Sequence, residues 1–135
     1  MLAGAVLLWM AALGCYDIAR RRLPNWLTVP GGAGILLAAT LGGRGVPALG
    51  GALALAAVYL TVHLVSPTAM GAGDVKLALG LGALTGWFGV DVWVLAALGA
   101  PLLTALVALA LGARSVPHGP SMCLATGMAV GLAVL

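Results

Sequence analysis

From Val92 to Gly112 the chain carries no ionisable side chain, and five further stretches are nearly as apolar. Runs of this kind leave few folds open. A chain of 135 residues that is 63% hydrophobic and 7% charged, with a mean hydropathy of +1.19, has more apolar surface than a soluble core of its size could hide. The surplus must face lipid. There every backbone polar group has to bond within the protein, which restricts spanning structure to helices or a closed barrel. The runs are rich in Leu, Ala and Val and lack the period-2 alternation of a barrel strand. The expected fold is therefore all-α: a polytopic membrane protein of about six transmembrane helices with short loops, forming one domain over 1–135.

A spanning helix takes about 20 mostly apolar residues. The runs place helices near 1–18, 26–43, 47–65, 74–89, 91–112 and 119–135, with Pro24, Gly42-Gly43, Pro47, Pro67 and Pro117 at the joints. The fourth and sixth are short, and one of them could start in a protein-lined cavity. Basic residues set the orientation, because cytoplasmic loops retain Lys and Arg. Arg20, Arg21 and Arg22 follow the first helix, Lys76 lies between the third and fourth, and Arg114 lies between the fifth and sixth. Six spans put these on one side, the cytoplasmic one, leaving Arg44 and both termini outside.

Other features exclude function classes. A net charge of +3, scattered along the chain, is too small for a nucleic-acid surface. Cys15 and Cys123 lie in separate apolar runs and read as small membrane-helix residues, not as a disulfide or metal pair. "ALGC" at 12–15 loosely resembles a lipoprotein cleavage box. No basic segment precedes the apolar stretch, however, so processing there is not expected. The spacings Gly82-x-x-x-Gly86 and Gly127-x-x-x-Gly131 read as close packing between helices of the same chain.

The acids carry the chemistry. Asp17, Asp74 and Asp91 are the chain's only acidic residues, and there is no glutamate. Under this topology Asp17 ends the first helix and Asp74 opens the fourth, both at the cytoplasmic side. Asp91 opens the fifth helix on the opposite side, where a capping or first-turn role suffices. Ionisable groups at membrane depth are costly and usually functional. Two carboxyls brought together in a partly desolvated site cannot both ionise readily, so one keeps a proton while the other serves as base. That is the arrangement of an aspartic protease. On charge and periodicity alone, other readings stay open. Asp17 could pair with Arg20 or Arg21, Asp74 could cap its helix, and the pair could bind a proton or cation in a transporter.

Three motifs bear on the choice. "GAGDVK" at 71–76 matches the G-x-G-D-x-K pattern of the type IV prepilin peptidases, the GxGD class of membrane aspartyl proteases. "DIARRRLPNWLT" at 17–28 resembles the segment with that family's first aspartate, its basic run and the Leu-Pro-Asn that follows. "VPHGPSMCLATG" at 116–127 resembles the family's late Pro-x-Gly-Pro stretch. The resemblance covers most of the chain. It implies catalysis by Asp17 and Asp74 without metal or organic cofactor. The substrate it implies is a pilin-like precursor, whose short basic leader is cut on the cytoplasmic face of a bacterial or archaeal cytoplasmic membrane. Gly71, Gly73, Lys76, Pro24, Asn25, Gly119 and Pro120 are the candidate supporting residues. Gly71 and Gly73 leave room beside Asp74 for a substrate backbone, and Gly73 could need a positive φ. Pro24 breaks the helix after the arginines, and the Asn25 amide can bond loop backbone. Lys76 could meet lipid phosphate or bias the neighbouring carboxyl.

Two departures stand beside the resemblance. Many relatives carry an N-terminal region with four cysteines, associated with methylating the new pilin terminus; with the first helix starting at Met1, no such site is expected here. His118 occupies a position where an apolar or aromatic residue is usual, and it reads as a loop variation, while His63 reads as a packing or interface histidine. The alternatives to a peptidase are a small proton-coupled transporter using the same acids and a catalytically silent subunit of a pilus-assembly machine.

Overall fold

Each apolar run becomes one helix, because in lipid only intra-segment hydrogen bonds satisfy the backbone. A computed structural model describes residues 2–20, 23–67, 71–113 and 116–134. Six α-helices follow one another: α1 (Leu2–Arg20), α2 (Asn25–Leu41), α3 (Gly45–Val65), α4 (Ala72–Phe88), α5 (Val90–Leu111) and α6 (Gly119–Val134). Their ends fall within about two residues of the expected spans, as close as helix termini are ever defined. By length and composition α1, α3 and α5 can each cross a bilayer, and α2 and α6 are shorter apolar helices. The protein is thus an all-helical membrane protein. Arg21, Arg22 and Arg114, on which the expected orientation partly rests, lie outside the described residues.

The joints obey local chemistry. Pro24 is extended (φ −73°, ψ 139°), and its carbonyl accepts the N–H groups of Leu27 and Thr28, which starts α2. Gly89 at φ 129° separates α4 from α5, and Gly112 at φ 62° closes α5 in the left-handed conformation. A side chain is strained at either position.

The helices do not share the lipid equally. α4 packs against α2, α3, α5 and α6, and nearly every residue from Leu77 to Gly86 is buried. Small residues make this possible. Gly82 and Gly86 of α4 face Gly51 of α3 so closely that a Cβ on Gly82 would lie 2.5 Å from the Gly51 carbonyl oxygen. On the other flank Gly80 meets Gly32 of α2, and the Trp9 indole of α1 covers Gly31 and Gly80 while donating to the Leu27 carbonyl at 2.6 Å. The Gly82/Gly86 spacing therefore packs helices within the chain, as expected. The Gly127/Gly131 spacing divides: a Cβ on Gly127 would lie 3.7 Å from Met10, whereas one on Gly131 would meet nothing within 4 Å.

Candidate active site

Three helix starts and one helix end meet at one end of the bundle. Asp17 is in the last turn of α1, Asn25 begins α2, Asp74 is in the first turn of α4, and Gly119 begins α6. They surround a cleft of about 310 Å³ lined by Asp17, Leu23, Asn25, Gly71, Ala72, Gly73, Asp74 and Lys76. The two aspartates, 57 positions apart in the chain, thus share one cavity. Asp91 does not join them. It sits exposed in the first turn of α5, beyond the far end of α4, whose 17 residues measure about 25 Å.

Asp17 is the more enclosed carboxyl, 6% exposed. Its Oδ2 accepts the Gly119 backbone N–H at 2.8 Å. The reason lies in how α6 starts. The His118 carbonyl accepts the Met122 N–H, so His118 holds the cap position and Gly119 carries one of the helix's unpaired first-turn donors. Pro120 follows, at a position where a missing N–H costs nothing. A carboxylate from α1 thus satisfies a helix start that the α6 sequence leaves open. Gly119 must be glycine for this approach, since a Cβ there would lie 3.1 Å from the Asp17 carboxyl carbon.

The α5–α6 connection reaches deep to make this contact. His118 Nδ1 lies 2.6 Å from the Thr104 hydroxyl of α5, and Nε2 lies 2.9 Å from the Tyr59 hydroxyl of α3. Thr104 is seven residues, or about 10 Å, below the end of α5, so the chain re-enters the bundle before turning into α6. Burial away from water lowers the His118 imidazole from its ordinary 6.5 to about 4.

The supporting residues take definite places. Lys76 Nζ donates to Asn25 Oδ1 at 2.7 Å, tying the start of α4 to the start of α2 across the cleft. This differs from the expectation that Asn25 bonds loop backbone and Lys76 turns to lipid or to a carboxyl. Gly71 lies beside Asp74, where a Cβ would stand 3.7 Å from Oδ2. Gly73 has no positive φ; it is helical, and a Cβ there would lie 3.1 Å from the Cβ of Leu23. Its missing side chain admits the segment before α2, which the expectation of a strained backbone did not foresee. Pro24 lines a neighbouring surface pocket with Tyr16, Arg20, Asn25 and Trp26. Pro120 packs over Gly14 of α1 and does not line the cleft.

Leu23, Ala72, Tyr59 and Thr104 were not singled out in the sequence. For Tyr59 and Thr104 a signal existed, since a hydroxyl within an apolar helix needs a partner. Leu23 and Ala72 fall within the quoted motifs, but nothing in their apolar side chains marked them as lining a cleft. Among the described residues no group of three His, Cys, Asp or Glu side chains could hold a metal ion.

The family model described as the type IV leader peptidase family matches residues 4–134, which include both aspartates and the α6 start. No curated protein and no solved structure shows a significant match to the chain.

Proposed function

Given that the chain belongs to the type IV leader peptidase family, we propose that it is an intramembrane aspartic endopeptidase acting through Asp17 and Asp74. It removes the short basic leader of type IV prepilin-like precursors at the cytoplasmic face. The observation that carries this reading is the shared cleft: two carboxyls from distant helices open onto one cavity at one end of the bundle.

The roles follow from the surroundings. Asp17 already receives an N–H bond from Gly119 at the start of α6, and such a donor favours the carboxylate. Asp17 is therefore assigned as base and Asp74 as acid. A water held between them gives a proton to Asp17 as its oxygen attacks the scissile carbonyl carbon, while Asp74 gives its proton to the carbonyl oxygen. The tetrahedral intermediate then collapses: its C–N bond breaks, the proton on Asp17 passes to the leaving amine, and a hydroxyl proton returns to Asp74.

A substrate helix hides its carbonyls in its own i to i−4 bonds, so the segment that enters must be locally extended. The Lys76–Asn25 bond spans the cleft through exposed side chains and can part for it at little cost, because such surface contacts are weak. Co-expression with candidate precursors, read by the gel shift on leader loss, tests the reading. Cleavage that requires both aspartates is expected, and cleavage by a protein lacking either one would overturn it.

A further inference from the structure

The α5–α6 connection is held by a chain of part-buried polar bonds from Tyr59 through His118 to Thr104. Its proton count can be closed. Thr104 Oγ1 lies 3.1 Å from the Ala100 carbonyl, which can only accept, and the single hydroxyl proton is assigned there. With that assignment Oγ1 faces His118 Nδ1, at 2.6 Å, with a lone pair, and Nδ1 carries the hydrogen. A neutral imidazole protonated at Nδ1 offers a lone pair at Nε2, and this accepts the Tyr59 O–H at 2.9 Å. In the other tautomer the proton on Thr104 would have to leave Ala100. The buried Tyr59 hydroxyl would then have no acceptor among the described bonds. Partial burial of the imidazole favours its neutral form.

We propose that His118 is a positioning residue for Asp17: fixed as the Nδ1–H tautomer between Tyr59 of α3 and Thr104 of α5, it sets the depth and angle at which the Gly119 amide meets the carboxylate. His118 and Gly119 are adjacent, so a shift of the imidazole carries the amide with it. A deviation of a few tenths of an ångström from 2.8 Å weakens the bond. The inference goes beyond the peptidase assignment and rests on it only where cleavage is the readout.

The experiment therefore has three arms on the full chain in detergent micelles. With histidine labelled in 15N, His118 should read as protonated at Nδ1 and bare at Nε2 between about pH 5.5 and 8. Tyr59→Phe should shift it toward a mixture of tautomers. Amide hydrogen exchange at Gly119 should accelerate by about tenfold or more in His118→Phe, while Ala125 and Ala129 inside α6 stay unchanged.

In the cleavage arm His118→Phe and Tyr59→Phe should each lower kcat by about tenfold with KM within about twofold. The double variant should be no slower than His118→Phe alone, because both act through one chain of bonds. His118→Asn, which can keep the donor toward Thr104, should recover part of the loss. A protonated Nε2, or Gly119 exchange unchanged in His118→Phe, overturns the proposal, as does wild-type kcat in that variant. If the wild-type protein cleaves no precursor, the peptidase reading fails by itself, and the tautomer and exchange arms still decide the role of His118.

Discussion

At the scale of single residues, the carboxyls give the sharpest expectation. Asp17→Asn and Asp74→Asn should each lower leader cleavage by roughly 10²–10⁴-fold, the usual worth of acid–base catalysis, since each removes one proton carrier of the pair. Asp91→Asn, exposed at the far end, should cleave as wild type. Gel-shift rates at matched expression measure all three, and an active Asp17→Asn would dissolve the pair. Gly73→Val should cut cleavage by about tenfold or more, for a reason only the fold reveals. The added methyls collide with Leu23, which lines the cleft, and push the 23–25 segment away from Asp74. Gly131→Ala meets open space and should leave cleavage intact.

At the scale of elements, the seam between α3 and α4 decides whether the bundle closes. Gly50 and Gly51 are neighbours in α3 with opposite surroundings. A Cβ on Gly51 would run into the Gly82 carbonyl and stand 2.8 Å from the Gly86 Cα, whereas one on Gly50 meets nothing within 4 Å. Backbone cannot swing aside as a side-chain tip can. Gly51→Ala should therefore destabilise the bundle by about 1–3 kcal/mol through overpacking. Gly50→Ala should be neutral or gain up to about 1 kcal/mol from helix propensity. Thermal unfolding in detergent compares the two, and equal melting temperatures would show that the α3–α4 approach is looser than described. The same logic places α4 at the centre: it combines Gly80, Gly82 and Gly86 on surfaces that meet α2 and α3.

At the scale of the whole molecule, charge sets a direction that packing does not. Arg20 and Lys76 share the end that holds the cleft, while Arg44 lies at the other end and donates to the Trp87 carbonyl at 3.3 Å. By the positive-inside tendency, these basic residues are expected to turn the cleft toward the cytoplasm, as proposed above. Cysteines at Arg20 and at Val46, both exposed, test this in a background lacking Cys15 and Cys123. With a membrane-impermeant thiol reagent, position 46 should label from outside and position 20 only after the cytoplasmic face is opened. The reverse pattern would turn the protein over and place the cleft on the wrong side for a leader that has not crossed the membrane.

The six helices, their ends and the candidacy of Asp17 and Asp74 were all legible in the residues. The lipid requirement for internally bonded backbone turns each apolar run into a helix, Pro24, Pro67 and Pro117 stop those runs, and an acid in so apolar a chain is conspicuous. Which helix is buried was not legible. α5 is more apolar than α4, but lipid tails are as apolar as a protein interior, so apolarity alone does not name the enclosed helix; the fit of Gly51, Gly82 and Gly86 does. The partners of Asp17 and His118 were equally hidden. The Asp17–Gly119 bond closes over 102 residues, and the Tyr59–His118 bond over 59. No local pattern encodes such pairs; they form because the packed bundle brings a helix start, whose N–H groups need an acceptor, against a carboxylate in the last turn of another helix.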